Sequence, residues 1–216
     1  MSSIVWLEDN NYEFPPVEQA CTEPDGLLAA GGSLSPGILL KAYRHGIFPW
    51  YSQGQPILWW SPDPRCVLFP EKLKISRSFR KTLNKNLYQI KQDTAFRDVM
   101  QNCAKPRNDD AGTWITADML AAYTHMHELG YAHSIECWQD GELVGGLYGM
   151  SIGKVFFGES MFSRKVDASK VALEYLCNTV RPKLIDVQVY SEHMERLGAE
   201  MIPRTKFIEY LDRFCG

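Results

Sequence analysis

The sequence has no CxxC pair, no glycine-rich nucleotide loop and no run of the roughly 20 apolar residues that a membrane-spanning helix requires. Cys21, Cys66, Cys103, Cys137, Cys177 and Cys215 stand singly, a scatter that fits reduced thiols and excludes a disulfide framework or a zinc site. The opening MSSIVWLEDNN has neither the basic nor the apolar region of a signal peptide. A cytoplasmic protein with no membrane association is therefore expected. GxSxG, P-loop and GxGxxG patterns are missing too. His125 and His127 are two apart on a predicted helix, so they do not share a face, and no third ligand accompanies them. No metal is expected. No Lys or Arg occurs in residues 1–40, which hold Glu8, Asp9, Glu13, Glu18, Glu23 and Asp25. Conversely, no acid occurs in residues 72–92, which hold Lys72, Lys74, Arg77, Arg80, Lys81, Lys85 and Lys91. A net charge of −3 excludes a chain that is basic all over, but this segregation allows one basic surface for phosphates. A solvated helix face is the competing reading of the same run.

What is present divides into two textures. Residues 1–64 are rich in Pro, Gly and Trp and are expected to form a small N-terminal domain held by aromatic packing. Ser35 and Pro36 open a helix there, with Ser as N-cap and Pro at the first helical position, and Gly46 closes it. Residues 65–216 show a regular α/β alternation. Ile75, Phe79 and Leu83 recur at helical spacing, with Arg77, Lys81 and Lys85 as the opposite stripe. Thr116 caps a helix ending at Gly130. HSIECW, a Gln139-Asp140-Gly141 turn and ELVGGLYGMSI predict a β-hairpin, and Gly153 turns the chain into a third strand. Asp167 caps a helix running toward Val180, KLIDVQVY follows as a buried strand, and Ser191 caps a short helix. An extended piece and a helix through Phe207, Tyr210 and Leu211 complete the chain. Three antiparallel strands, a long helix, another strand and a helix is the order of a GNAT-type acyltransferase, an α/β (α+β) fold with a mixed sheet. Coenzyme A is disfavoured, because SMFSRKVDASK puts bulky side chains where backbone amides would have to cradle a pyrophosphate.

Two places could carry chemistry. In LIDVQ, Asp186 and Gln188 share one strand face while Ile185, Val187 and Val189 take the other. A carboxylate and an amide on so apolar a strand must be hydrogen-bonded. They are either a structural network or a positioned pair facing a cleft. Glu159 in FFGESMF ends a strand beside a glycine, with Phe157 and Met161 able to wall an apolar pocket. A plain salt bridge accounts for it equally well.

GLLAAGGSLSP, HGIFPWYS, PILWWSPDPR, GTWIT, HELGYAHSIE, GGLYG, GESMFSR, DASK and LIDVQ occur in this order from residue 26 to residue 188. The set resembles the bacterial leucyl/phenylalanyl-tRNA–protein transferase family over nearly the whole chain. The resemblance implies a GNAT-like domain with a small N-terminal domain packed against it. It also implies transfer of leucine or phenylalanine from aminoacyl-tRNA to proteins beginning with Arg or Lys, marking them for proteolysis. The chain is expected to act as a monomer without cofactor. By the same resemblance, Trp50 and Trp114, with Tyr43 nearby, hold the terminal adenosine. Leu147, Phe156, Met161 and Ile185 surround the amino-acid side chain, Glu159 belongs to the site, and Asp186 and Gln188 are the catalytic pair. Arg77, Arg80, Lys81 and Lys85 are the candidates for tRNA phosphates. A non-catalytic tRNA- or peptide-binding module and a CoA-dependent N-acetyltransferase are the alternatives.

Overall fold

The structure, a computed structural model, describes residues 4–8, 13–105 and 115–216. The first elements are β1 (Val5–Leu7), β2 (Leu27–Gly31), α1 (Pro36–Arg44), β3 (Phe48–Pro49) and β4 (Leu58–Trp60). They give a four-stranded sheet in the order β1-β2-β4-β3, with β1 parallel to β2. Helix α1 starts at Pro36 as expected, but Ser35 makes no side-chain capping bond, and its buried hydroxyl has no partner among the described residues. The rigid φ of proline, not a cap hydrogen bond, sets this helix start. Trp59 anchors the sheet: its indole donates to the Gly31 carbonyl at 2.9 Å and Phe14 packs edge-on at 5.0 Å.

The second sheet begins at β5 (Arg65–Leu68), followed by α2 (Arg77–Lys85), β6 (Gln89–Gln92), α3 (Phe96–Cys103) and α4 (Ala117–Glu128). The hairpin β7 (Ala132–Gln139) and β8 (Glu142–Ile152) leads to β9 (Val155–Ser163) and α5 (Ala168–Tyr175). Strand β10 (Leu184–Gln188), α6 (Glu192–Arg196), β11 (Glu200–Ile202) and α7 (Arg204–Phe214) complete the fold. The seven strands lie in the order β11-β5-β10-β9-β8-β7-β6, antiparallel except for the β9–β10 pair. This is the mixed α/β arrangement anticipated from the element order.

Local signals account for most boundaries. Ser76, Thr116 and Ser191 each accept a bond from the amide three residues on, in the manner of N-caps. Asp140 and Gly141 both have positive φ, the mark of a two-residue hairpin turn. Asp167 departs from expectation. It sits at the N-cap position with φ +60 and gives its carboxylate to Thr82 and Lys170 instead of to the helix amides. After α5 the chain continues through a π-helical turn, Leu176–Val180. A Cβ at Gly145 would collide with Ala168, so this glycine of GGLYG lets α5 lie directly on β8. One apolar cluster runs from Leu7 and Trp59 of the first sheet and Tyr43 of α1 into Tyr123 of α4 and Tyr148 and Phe157 of the second sheet. The other face buries Leu147, Phe156 and Ile185 against Leu173 and Leu176. Among the described residues, no helix is long and apolar enough to cross a membrane, and the six cysteines are free thiols.

Candidate active site

Two β-bulges make the site. Strand β9 pairs with β10 only from Val155 to Phe157, but with β8 as far as Ser163. The β8–β9 register slips between Tyr148–Ser160 and Gly149–Gly158, leaving Glu159 as the extra residue. The β10–β5 register slips between Asp186–Val67 and Gln188–Cys66, leaving Val187 as the extra residue. A bulge bends its strand and re-aims side chains. At the end of β10 the Val189 amide donates back to the Val187 carbonyl at 2.9 Å, with Gln188 at φ +66. This is a γ-turn of the positive-φ kind, which is strained for a residue carrying a side chain.

Where β10 leaves β9, a cleft of about 550 Å³ opens. Leu147, Phe156, Met161 and Ile185, expected around an amino-acid side chain, line it together with Leu173 and Leu176 of the α5 segment. Glu159, Asp186 and Gln188 line the same cleft, and Trp50, 43% exposed, stands in its wall. The Trp50 carbonyl accepts the Trp60 indole N–H at 2.7 Å.

The polar groups are tied together. Glu159 Oε1 accepts from the Tyr43 hydroxyl at 2.6 Å and from Gln188 Nε2 at 3.3 Å, while Oε2 accepts from the Tyr123 hydroxyl at 3.3 Å. Burial pushes the Glu159 carboxyl up to about 8; the Tyr43 bond opposes this, and the Asp186 charge adds to it. Burial, and next the Glu159 charge, hold the Tyr43 and Tyr123 hydroxyls well above the ordinary phenol value. Asp186 is fully buried and bidentate to Arg65, with Nε to Oδ1 at 2.8 Å and Nη2 to Oδ2 at 2.7 Å. Its Oδ1 also accepts the Gln188 amide at 3.0 Å. Asp186 and Gln188 meet their partners, Arg65 and Glu159, on the opposite side from Ile185 and Val187, which belong to the α5-side cluster. Among the described residues, no group of three or more His, Cys, Asp or Glu side chains could hold a metal ion.

Comparison with known proteins shows which family the chain belongs to. The family model described as leucyl/phenylalanyl-tRNA protein transferase matches residues 67–212, and the model of its N-terminal domain matches residues 32–63. A leucyl/phenylalanyl-tRNA–protein transferase of Nitrosomonas europaea is 60% identical over 93% of this chain and 86% of its own length. One from Azoarcus sp. is 56% identical over 98% of this chain and 91% of its own. The chain belongs to the leucyl/phenylalanyl-tRNA–protein transferase family. It is accordingly an enzyme, an aminoacyltransferase. A solved GCN5-related N-acetyltransferase from Kribbella flavida covers 78% of this chain and 61% of that one, at 13% identity and a TM-score of 0.39. That superposition is too loose to carry any statement about chemistry.

Within this transferase, Tyr43, expected near the adenosine, does not line the cleft itself. It is fully buried beneath the cleft, packs at 5.0 Å on Phe157 and bonds Tyr123 and Glu159. Trp114 lies outside the described residues. Arg77, Arg80, Lys81 and Lys85 are exposed on α2, away from the cleft lining. Two site residues escaped the sequence reading. Tyr123 falls among the apolar residues Met119, Leu120 and Met126 of α4, and nothing in the sequence shows that its hydroxyl is used. Arg65 closes the PILWWSPDPR motif, and an arginine opening the apolar run RCVLF was its only signal.

Proposed function

We propose that this transferase joins leucine or phenylalanine, taken from the 3′ end of its tRNA, to the α-amine of proteins that begin with Arg or Lys. The observation that carries the reading is the junction of an apolar pocket with the Glu159–Gln188 pair at the splay of β9 and β10. The reaction is aminolysis of an ester: the amine attacks the aminoacyl carbonyl and the ribose hydroxyl leaves. The ester is already activated, and positioning alone can supply about 7–11 kcal/mol of the barrier. The residual tasks are to orient the amine and to take its proton.

The Gln188 amide N–H₂ is directed to Glu159, which leaves its carbonyl oxygen to accept from the attacking amine. Glu159, held near 8, is matched to an α-amine whose ordinary value is about 7.7–8.0 and serves as proton acceptor. Asp186 orients: held by Arg65, its Oδ1 accepts from the backbone N–H of Gln188 and so fixes the strand end that carries the side-chain amide. Leu147, Phe156, Met161 and Ile185 take the leucine or phenylalanine side chain, and Trp50 takes the adenosine. The exposed cations of α2 meet tRNA phosphates. A substrate drawn from the charged tRNA pool supports an enzyme that works in the cytoplasm.

Incubation with labelled leucyl-tRNA and an Arg-initiated peptide, beside a parallel acetyl-CoA reaction, tests this. Label on the peptide N-terminus from the tRNA alone is expected. Acetyl transfer, or binding of both substrates without transfer, would sink the proposal.

A further inference from the structure

We propose that Arg65 is a positioning residue that fixes the adenosine-holding segment of the small sheet to the strand end that orients the amine. The inference rests on the aminoacyl-transfer reading above. Arg65 is 1% exposed, and each of its three guanidinium nitrogens is engaged. Nε and Nη2 grip Asp186, and Nη1 donates to the Gly46 carbonyl at 3.0 Å. The guanidinium carbon lies over two aromatic rings, 4.7 Å from the Phe48 centroid and 4.6 Å from that of Phe207. Four separate parts of the chain therefore meet on one side chain: the turn after α1, strand β3, strand β10 and helix α7.

The path through it is short at both ends. Phe48 is two residues before Trp50 in the cleft wall, and the carboxylate that Arg65 grips also holds the backbone amide of Gln188. A buried arginine–carboxylate pair adds little stability over a well-packed apolar pair of the same volume, because both ions must be stripped of water. What the planar fork supplies, and an apolar contact does not, is direction. Here it sets the distance between the platform for the ester's adenosine and the amide that aims the nucleophile. Reaction rates respond steeply to that distance.

The test uses Arg65→Lys, which keeps the charge and the stem but cannot reproduce the fork. Thermal stability is measured together with kcat and both KM values, for an aminoacyl-adenosine donor and an Arg-initiated peptide. A folded variant with kcat lowered about thirty- to hundredfold, as expected for a displacement of roughly 1 Å, and with both KM values within about threefold, is the expected result. Normal kcat overturns the proposal, and so does a loss confined to KM, which would make Arg65 a binding determinant. A fall in kcat that matches the unfolded fraction also overturns it, since burial alone would then account for the residue.

If Arg65→Lys does not fold, the neutral double variant Arg65→Met with Asp186→Asn removes the unpaired buried charge, and the same split between kcat and KM is read there. Retained kcat in that variant is equally fatal. Wild-type enzyme that fails to transfer in the same assay refutes the aminoacyl-transfer reading itself, a result distinct from any outcome with the variants.

Discussion

Both oxygens of Asp186 accept from Arg65, and one accepts from the Gln188 amide as well. Asp186→Ala is therefore expected to do two things. Transfer falls by about a hundredfold or more, the usual scale of a lost acid–base or orienting group. Stability falls by about 3–5 kcal/mol, because a buried guanidinium loses its counter-charge. The second effect was not visible in the strand pattern alone; it is checked by comparing denaturant midpoints of the variant and the wild type. Glu159 behaves in the opposite sense. Its folded value near 8 lies above the ordinary 4.5, so between those pH values the folded state holds the extra proton. Stability contributed by this group is thus present at low pH and is lost as pH rises across that window. Glu159→Gln should flatten the slope and raise Tm at pH 8 by roughly 4 °C, corresponding to about 1–2 kcal/mol. An unchanged slope would show that Glu159 ionises normally. Tyr43 donates to this carboxylate and lowers its value. Tyr43→Phe should move the acid limb of the kcat/KM profile to higher pH, while the amine's own titration stays in place. An unmoved limb would assign the proton acceptor elsewhere.

At the scale of elements, caps and turns were legible and bulges were not. Thr116 and Ser191 cap their helices as read from the sequence, and Asp140-Gly141 makes the expected hairpin turn, so these boundaries follow from local chemistry, whereas Ser35 and Asp167, read as caps too, make no capping bond. A bulge adds one residue to a strand without changing its composition, so nothing local marked Glu159 or Val187 as the extra residue. Arg65 was hidden for a related reason: its partner lies 121 residues away, beyond the reach of any period. The apolar lining was legible only through the family motifs, since Leu147, Phe156 and Ile185 read as ordinary core. The end of β10 offers a test of how bulge, strain and function separate. Gln188 holds φ +66, a conformation glycine adopts at no cost. Gln188→Gly should leave Tm within about 2–4 °C of wild type or above it, since a strained backbone is relieved at roughly 1 kcal/mol. Transfer should nonetheless collapse, because the orienting amide is gone. A large fall in Tm would instead make the Gln188–Glu159 bond a structural tie.

Across the whole molecule, the cleft and the basic helix are separate but joined by direct contacts. Phe79 is buried beneath α2, Ser76 caps that helix, and Thr82 donates to Asp167 at 2.8 Å at the start of α5. Helix α5 supplies Leu173, and the π-helical turn after it Leu176, to the cleft, so packed elements connect the exposed Arg77, Arg80, Lys81 and Lys85 to the cleft. An enzyme whose donor arrives on a tRNA body can gain affinity there from phosphate contacts, which position a nucleic acid without reading its sequence. Each such contact releases counterions, so losing one should flatten the dependence of log affinity on log salt by roughly 0.7–0.9. Changing Arg80 and Lys81 to Ala should weaken binding of charged tRNA and make that slope shallower by one to two such steps. Transfer from a short aminoacyl-adenosine donor, which has no tRNA body, should be almost unchanged. Equal losses with both donors would locate the damage in the cleft, transmitted through α5. No loss with either would leave the stripe a solvated helix face and require the tRNA body to be held elsewhere on the molecule.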